Sequence, residues 1–277
     1  MMRRACVIGW PVSHSRSPLI HTYWLRSLGI EGEYVRQPVE PGAAGRFLAE
    51  LRERGFVGCN VTIPHKEAAF AALDDVTPIG RALAGVNTVW LEGSRLIGTS
   101  TDGEGFLANL DERTPGWSAA PGPAVVLGAG GAAKAIVWSL RERGFAPIAV
   151  VNRSLSRAED LAKQFGPFIR ADRWERLPEL LRNAALLVNA TSLGMAGQPP
   201  LSVPIEALPA HALVTDIVYT PLSTDLLRAA RSRGLVTVDG LGMLMHQAVP
   251  GFERWFGRRP TVTDELRALL VADIEAR

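Results

Sequence analysis

Two α/β domains joined by a short connector are what this 277-residue sequence predicts, and three observations carry that expectation. Short apolar runs alternate with stretches of helical periodicity, the pattern of βα units on largely parallel sheets. The chain is longer than one hydrophobic core comfortably serves. Residues 114–123 hold three prolines and two glycines between two such series, the composition of a connector. At 47% hydrophobic and 21% charged residues the composition is that of a globular protein and excludes disorder.

Ala5–Ile8 reads as the first strand. After a polar loop, Ser17 is expected to cap a helix that Pro18 opens. Ile20, Trp24 and Leu28 recur at a spacing of four on its buried face, and Gly29 ends it. A second strand follows over Glu33–Gln37 and a second helix over Gly42–Arg54. Gly58–Ile63 makes a third strand, and Pro64 starts a third helix. Val86–Trp90 and Arg95–Thr99 form a hairpin around Glu92-Gly93-Ser94, with Thr101-Asp102-Gly103 in a turn beyond it. Past the connector, Ala124–Leu127, Val150–Asn152, Leu186–Ala190 and Val214–Tyr219 are strands with helices between them. Beyond Gly240 the chain is helical again, broken at Arg258-Arg259-Pro260.

Several function classes are excluded at this level. The net charge is +2 with no Lys/Arg block, which argues against nucleic acid and membrane surfaces as partners and suits a small anionic molecule. No run approaches the ~20 apolar residues of a membrane span. The run after Arg3-Arg4 is only five residues long, too short for a signal peptide, so a cytoplasmic protein is expected. Cys6 and Cys59 are expected to be buried reduced thiols. The five histidines (His14, His21, His65, His211, His246) show no ligand spacing, and no metal is expected. A GxSxG elbow for a serine hydrolase is lacking.

The sharpest chemical signal follows Ala124–Leu127. Gly128-Ala129-Gly130-Gly131-Ala132-Ala133 runs into a helix over Lys134–Arg143, the GxGxxA form of the nucleotide-binding turn in its strand–turn–helix context. Glycines there allow a tight turn and close approach of the backbone to a pyrophosphate, which the helix N-terminus attracts. An NAD enzyme carries an acid at the end of the next strand, for the ribose 2′-hydroxyl. This chain has Asn152-Arg153-Ser154 instead, with Arg157 one turn on. Arg153 and Arg157 suit a 2′-phosphate, which favours NADP over NAD.

Polar clusters also mark the strand ends of the first domain, where ligands of open α/β sheets lie. Ser15 and Ser17 are placed to donate to a carboxylate near a helix start. Asn60, Thr62 and Lys66 surround the end of the third strand. A lysine at a helix start opposes the helix dipole, which points to a functional reason for it.

Through these segments the chain resembles the shikimate dehydrogenase family. The matching motifs are His14–Pro18, Asn60–Lys66, Gly85-Val86-Asn87-Thr88, Thr101-Asp102-Gly103, Gly128–Ala133, Asn152-Arg153-Ser154, Asn189-Ala190-Thr191-Ser192 with Gly194-Met195, Asp216–Tyr219, and Gly240–Leu244 with Gln247. They run in order over nearly the whole length. Ser100 stands where the family has Asn, which puts the support of Asp102 in question, and Thr22 also departs from the pattern. The resemblance implies an N-terminal α/β substrate domain and a Rossmann-type NADP-binding domain with a cleft between them. Residues 1–108 plus 240–277 would form the first and 109–239 the second.

It implies the roles too. Ser15 and Ser17 would hold the substrate carboxylate. Asn60, Thr62, Asn87, Asp102 and Gln247 would hold the ring hydroxyls, Tyr219 would lie beside the nicotinamide, and Lys66 with Asp102 would be the acid/base machinery. The cofactor would meet Gly128, Ala129, Gly130, Gly131, Ala132, Asn152, Arg153, Ser154, Arg157, Thr191, Ile217 and Gly240. The implied activity is the NADPH-dependent reduction of 3-dehydroshikimate to shikimate. A quinate/shikimate dehydrogenase using NAD and a non-catalytic metabolite sensor of the same fold remain the alternatives. A homodimer is a candidate assembly that the sequence leaves open.

Overall fold

The computed structural model describes residues 2–276. They divide into two compact units, residues 2–105 with 244–276, and 106–243. The 114–123 segment falls inside the second unit.

The elements up to the first crossing between units are β1 (Arg3–Gly9), α1 (Ser17–Ser27), β2 (Gly32–Pro38), α2 (Ala44–Ala49), β3 (Gly58–Val61), α3 (Lys66–Ala71), β4 (Asp75–Val76), α4 (Pro78–Leu83), β5 (Thr88–Glu92), β6 (Arg95–Thr99) and α5 (Asp102–Arg113). The six strands form one sheet in the order β2-β1-β3-β5-β6-β4. β1 pairs parallel with β2 and β3, while β5 is antiparallel to both β3 and β6. Alternation along each strand divides the side chains between two faces. Cys6, Ile8, Cys59 and Val61 join Phe47, Leu48 and Ala69, from α2 and α3, in a buried cluster on one face.

Helices from the C-terminal end of the chain cover the other face. After α6 (Gly131–Glu142), α7 (Leu155–Phe165), α8 (Leu177–Leu181) and α9 (Asp225–Ser232) of the second unit come α10 (Leu241–His246), α11 (Val249–Phe256) and α12 (Asp264–Glu275). Trp255 of α11 is 1% exposed and donates its indole N–H to the Val89 carbonyl at 2.9 Å. Gly58 is what lets it approach: a Cβ there would collide with the Trp255 ring and the Val89 oxygen. Trp24 of α1 donates to the Thr261 carbonyl at 3.0 Å, and Tyr23 shares a 3.1 Å hydrogen bond with Thr263.

His21 is fully buried in this aromatic layer, stacked on Tyr34 at 3.9 Å, and neither ring nitrogen has a hydrogen-bond partner. Burial, offset in part by the nearby Asn60 amide, pushes its pKa from 6.5 down to about 3. Below pH 6.5 the unfolded chain binds a proton that the native one refuses, so stability contributed by the neutral ring is lost as pH falls from 6.5 toward 3. His21→Leu is expected to remove this loss, worth about 3 kcal/mol between pH 7 and pH 4. Urea unfolding midpoints at both pH values check it, and an undiminished pH dependence in the variant would overturn the assignment to His21.

The second unit holds β7 (Ala124–Leu127), β8 (Ile148–Val151), β9 (Ile169–Asp172), β10 (Leu186–Asn189), β11 (Leu213–Asp216) and β12 (Val236–Val238). All neighbours are parallel, in the order β12-β11-β10-β7-β8-β9. Renumbered within the unit this is the 3-2-1-4-5-6 order of the doubly wound dinucleotide fold. The central strands β7, β8, β10 and β11 are buried along their whole length, as a sheet covered on both faces requires.

Several expected elements change shape. The helix expected over 42–54 spans only Ala44–Ala49, because turns and Gly55 at φ +77° close the segment. Ser17 does not cap α1. Arg16 holds the cap position in helical conformation, and the Ser15 hydroxyl, two residues back, receives the Ser17 N–H at 3.3 Å. Asp102 opens α5 instead of sitting in a turn, an acid at the helix start where the dipole favours it. The strands expected over 150–152 and 214–219 run over 148–151 and 213–216, which frees Asn152 and Ile217 for loops.

Candidate active site

In the first unit, strand-end loops converge on Lys66 and Asp102. The loop after β3 is tied down at several points. Thr62 N–H donates to the Ile8 carbonyl at 2.9 Å, Trp10 N–H donates to the Ile63 carbonyl at 3.1 Å, and the buried His65 ring bonds the Val39 carbonyl at 2.7 Å. Lys66 thereby starts α3 with its ammonium on Asp102 Oδ2. The side chains are 22% and 6% exposed, so the lysine keeps an open side while the carboxylate is enclosed.

Asn87 holds this pair. Its Nδ2 donates to Asp102 Oδ1 at 2.8 Å and to Gln247 Oε1 at 3.4 Å. Its Oδ1 accepts from Thr101 N–H at 2.9 Å, Thr101 Oγ1 at 3.1 Å and Thr88 Oγ1 at 3.0 Å. The single proton of the Thr101 hydroxyl is shared between Asn87 Oδ1 and the Gln247 carbonyl, the nearer acceptor at 2.8 Å. Every polar atom of the Asn87 amide is therefore engaged, and only the long bond to Gln247 is weak enough to yield to a ligand hydroxyl. Asn60 is similarly committed: Tyr34 donates to its Oδ1 at 2.5 Å, and its Nδ2 donates to the Asn87 carbonyl and Thr88 Oγ1, both at 3.2 Å. What Asn60 still offers is an acceptor lone pair. Ser100 takes no part in holding Asp102, whose partners are Lys66 and Asn87.

The structure thus brings Lys66, Asp102, Asn87, Asn60 and Gln247 into one network. Half-buried Thr62 stands on the tethered loop beside it. Ser15 and Ser17 face one another at 3.3 Å between their hydroxyls at the start of α1.

In the second unit, all the residues expected to meet the cofactor lie beyond the C-terminal ends of strands or at the helix starts that follow. Gly128–Ala132 follow β7, Asn152–Ser154 and Arg157 follow β8, Thr191 follows β10, Ile217 and half-buried Tyr219 follow β11, and Gly240 follows β12. Gly128 has φ +107°, and a Cβ on it would lie 2.9 Å from the Ala190 carbonyl oxygen. Nothing lies within 4 Å of a Cβ built on Gly130, so the backbone is open to a ligand there, just before the twelve-residue α6. Ala133 is fully buried and packs the helix onto the sheet. These features fit a dinucleotide pyrophosphate. Asn152 Nδ2 donates to the Ser154 carbonyl at 2.9 Å, shaping the turn from which Arg153 and Arg157 project, both exposed and with no ion-pair partner among the described residues.

Asn189 and Asp216 stand in the sequence motifs without an assigned role. Asn189 Oδ1 accepts from the Thr191 N–H at 3.0 Å and its hydroxyl at 2.7 Å, while its Nδ2 donates to Asp216 Oδ1 at 2.9 Å. Asp216 also accepts from Val218 N–H at 3.0 Å and Thr224 Oγ1 at 2.8 Å. Burial dominates these donors and raises its pKa to about 6. The pair fixes the loops that carry Thr191 and Ile217. A buried polar residue at the end of an otherwise apolar strand is the signal that marks both.

Fold and site together define a dinucleotide-dependent oxidoreductase with a lysine–aspartate pair in its other unit. Comparison with known proteins narrows the class. Residues 7–89 match the family model of the shikimate dehydrogenase substrate binding domain, 117–196 that of shikimate/quinate 5-dehydrogenase, and 240–268 that of the shikimate 5′-dehydrogenase C-terminal domain. Shikimate dehydrogenase (NADP(+)) of Azorhizobium caulinodans is 53% identical over 276 residues, covering 100% of this chain and 98% of that one. Its counterpart from Methylocella silvestris is 56% identical over 98% of this chain and 97% of its own. The crystal structure of shikimate 5-dehydrogenase from Thermus thermophilus, in complex with NADP(H) and shikimate, superposes with a TM-score of 0.87 at 41% identity, over 98% of this chain and 100% of that one. This chain belongs to the shikimate dehydrogenase family.

Proposed function

We propose that the protein is an NADP-dependent shikimate dehydrogenase that reversibly reduces the ketone of 3-dehydroshikimate to the alcohol of shikimate, a step toward chorismate and the aromatic amino acids. The observation that carries this reading is the half-open Lys66 ammonium on the enclosed Asp102 carboxylate, itself held by Asn87. The first unit takes the substrate and the second the cofactor, with the division at 1–108 plus 240–277 and 109–239. Bound NADPH supplies the hydride. Lys66 stabilises the negative charge that develops on the ketone oxygen and delivers a proton to it, and in reverse its neutral amine takes the proton back. Asp102 keeps the ammonium aimed and accepts from the reacting hydroxyl. Ser15 and Ser17 hold the carboxylate, while Asn60, Thr62, Asn87 and Gln247 meet the ring hydroxyls and Tyr219 borders the nicotinamide.

Initial rates at the nicotinamide absorbance band test the reading, with shikimate or quinate paired with NADP or NAD. Fast turnover of shikimate with NADP alone is expected. Comparable turnover of quinate, or a preference for NAD, would move the chain to the dual-specificity branch, against which the exposed Arg153 and Arg157 speak. No turnover at all would turn the protein into a sensor, against which the intact Lys66–Asp102 pair speaks. Cytoplasmic residence is proposed from Cys6 and Cys59, both free thiols buried in the sheet. Among the described residues no helix is long and apolar enough to cross a membrane. Light scattering on the purified chain decides between a monomer and a homodimer.

A further inference from the structure

Shikimate is an anion at neutral pH, yet the groups assigned to its carboxylate, Ser15 and Ser17, are neutral hydroxyls. Lys66 brings no net charge to the site, because Asp102 is bonded to it. Two cations stand at the serine loop. Arg16, 7% exposed, is neutralised by Asp273 of α12, its Nε lying 2.9 Å from Oδ2. The other is Arg36, near the C-terminal end of β2. It donates twice to the Ser15 carbonyl, from Nε at 3.0 Å and from Nη2 at 2.6 Å, and among the described residues no carboxylate pairs with it. Its strand register is independent of that contact. Arg36 lies opposite Val7, and Val7 opposite Asn60, so one row across β2, β1 and β3 sets Arg36 and Asn60 on the same face.

We infer that Arg36 is a further substrate-positioning residue: its guanidinium fixes Ser15 and supplies the positive charge of the carboxylate subsite. This rests on the proposed function and deepens it. Two of its N–H groups lock the loop, and its charge acts on the anion that the serine hydroxyls receive. The geometry selects substrates with a carboxylate on the ring over their neutral counterparts, because an uncompensated cation discriminates where two hydroxyls alone do not.

The test compares wild type, Arg36→Gln and Arg36→Lys with shikimate and with shikimate methyl ester, in low and high salt. For Arg36→Gln, KM for shikimate is expected to rise about five- to tenfold while kcat and KM for NADP stay within about twofold. Arg36→Lys is expected to recover most of the loss. The ester should show no comparable rise, and added salt should raise KM for shikimate in wild type more than in Arg36→Gln. Equal losses with acid and ester would show that Arg36 only shapes the loop, and an unchanged KM in Arg36→Gln would remove it from the site altogether. In both cases wild-type turnover of shikimate leaves the proposed function standing; if wild type itself does not turn over shikimate, that reading fails first. Arg36 is exposed, so the variants should fold, which thermal midpoints equal to wild type would confirm.

Discussion

Lys66→Ala is expected to lower kcat for shikimate oxidation by at least ~10², with a smaller change in KM, because a general acid/base contributes about 10²–10⁴. The geometry explains why the loss should fall on kcat. Asn87 Nδ2 and the start of α5 still hold the Asp102 carboxylate once the ammonium is gone, so the pocket that meets the ring hydroxyls keeps its shape. What disappears is the one group that is charged, part-exposed and able to give up a proton. Lys66→Arg separates the two functions of the ammonium. Guanidinium keeps the positive charge but does not deprotonate. Its KM should stay closer to wild type than that of Lys66→Ala, and its kcat should remain low. Near-normal kcat in Lys66→Ala would overturn the assignment of the acid/base. Restored kcat in Lys66→Arg would leave Lys66 an electrostatic role only.

How much of this was legible beforehand depended on whether the signal was local. β7 is a run of four apolar residues buried on both faces, and its bounds match the sequence-based ones residue for residue. The strands that escaped reading, β4, β9 and β12, are sheet-edge strands of two to four residues with exposed or half-buried positions, and such strands carry neither a long apolar run nor clean alternation. Lys66 stood out because a cation at a helix start is locally unfavourable. Arg36 did not, since one charged residue in a half-exposed strand is ordinary. Its meaning comes from the register that aligns it with Asn60 and from the return of the chain to Ser15, neither of which any window of sequence contains. Asn87 shows the same limit from the other side. Its presence was read from a motif, but its place as the link between Asp102, Thr101 and Gln247 needed residues 14 to 160 positions away.

Cofactor choice is where the second unit should respond most. Replacing both Arg153 and Arg157 with serine is expected to raise KM for NADPH by about 10², with kcat little changed and NADH kinetics within about threefold of wild type. Three features of the loop after β8 support this size. No acid stands at the end of β8 or in the first turn of α7 to repel a phosphate. Ser154, the cap residue of α7, does not bond the helix N–H groups with its side chain, so the positive end of an eleven-residue helix is left for a ligand. Both guanidinium groups are exposed and have no ion-pair partner among the described residues, so no such pair must break before they meet a phosphate. NADH lacks that phosphate, and it therefore serves as the internal control: it still needs the Gly128–Ala132 turn and the helix of α6, which the substitutions leave intact. An equal loss with NADH and NADPH would reassign the arginines to the pyrophosphate or to the turn itself. A KM for NADPH that does not move would mean that the 2′-phosphate is read elsewhere on this sheet edge, and selectivity for NADP would then have to come from the α7 N-terminus and the absence of an acid at Asn152.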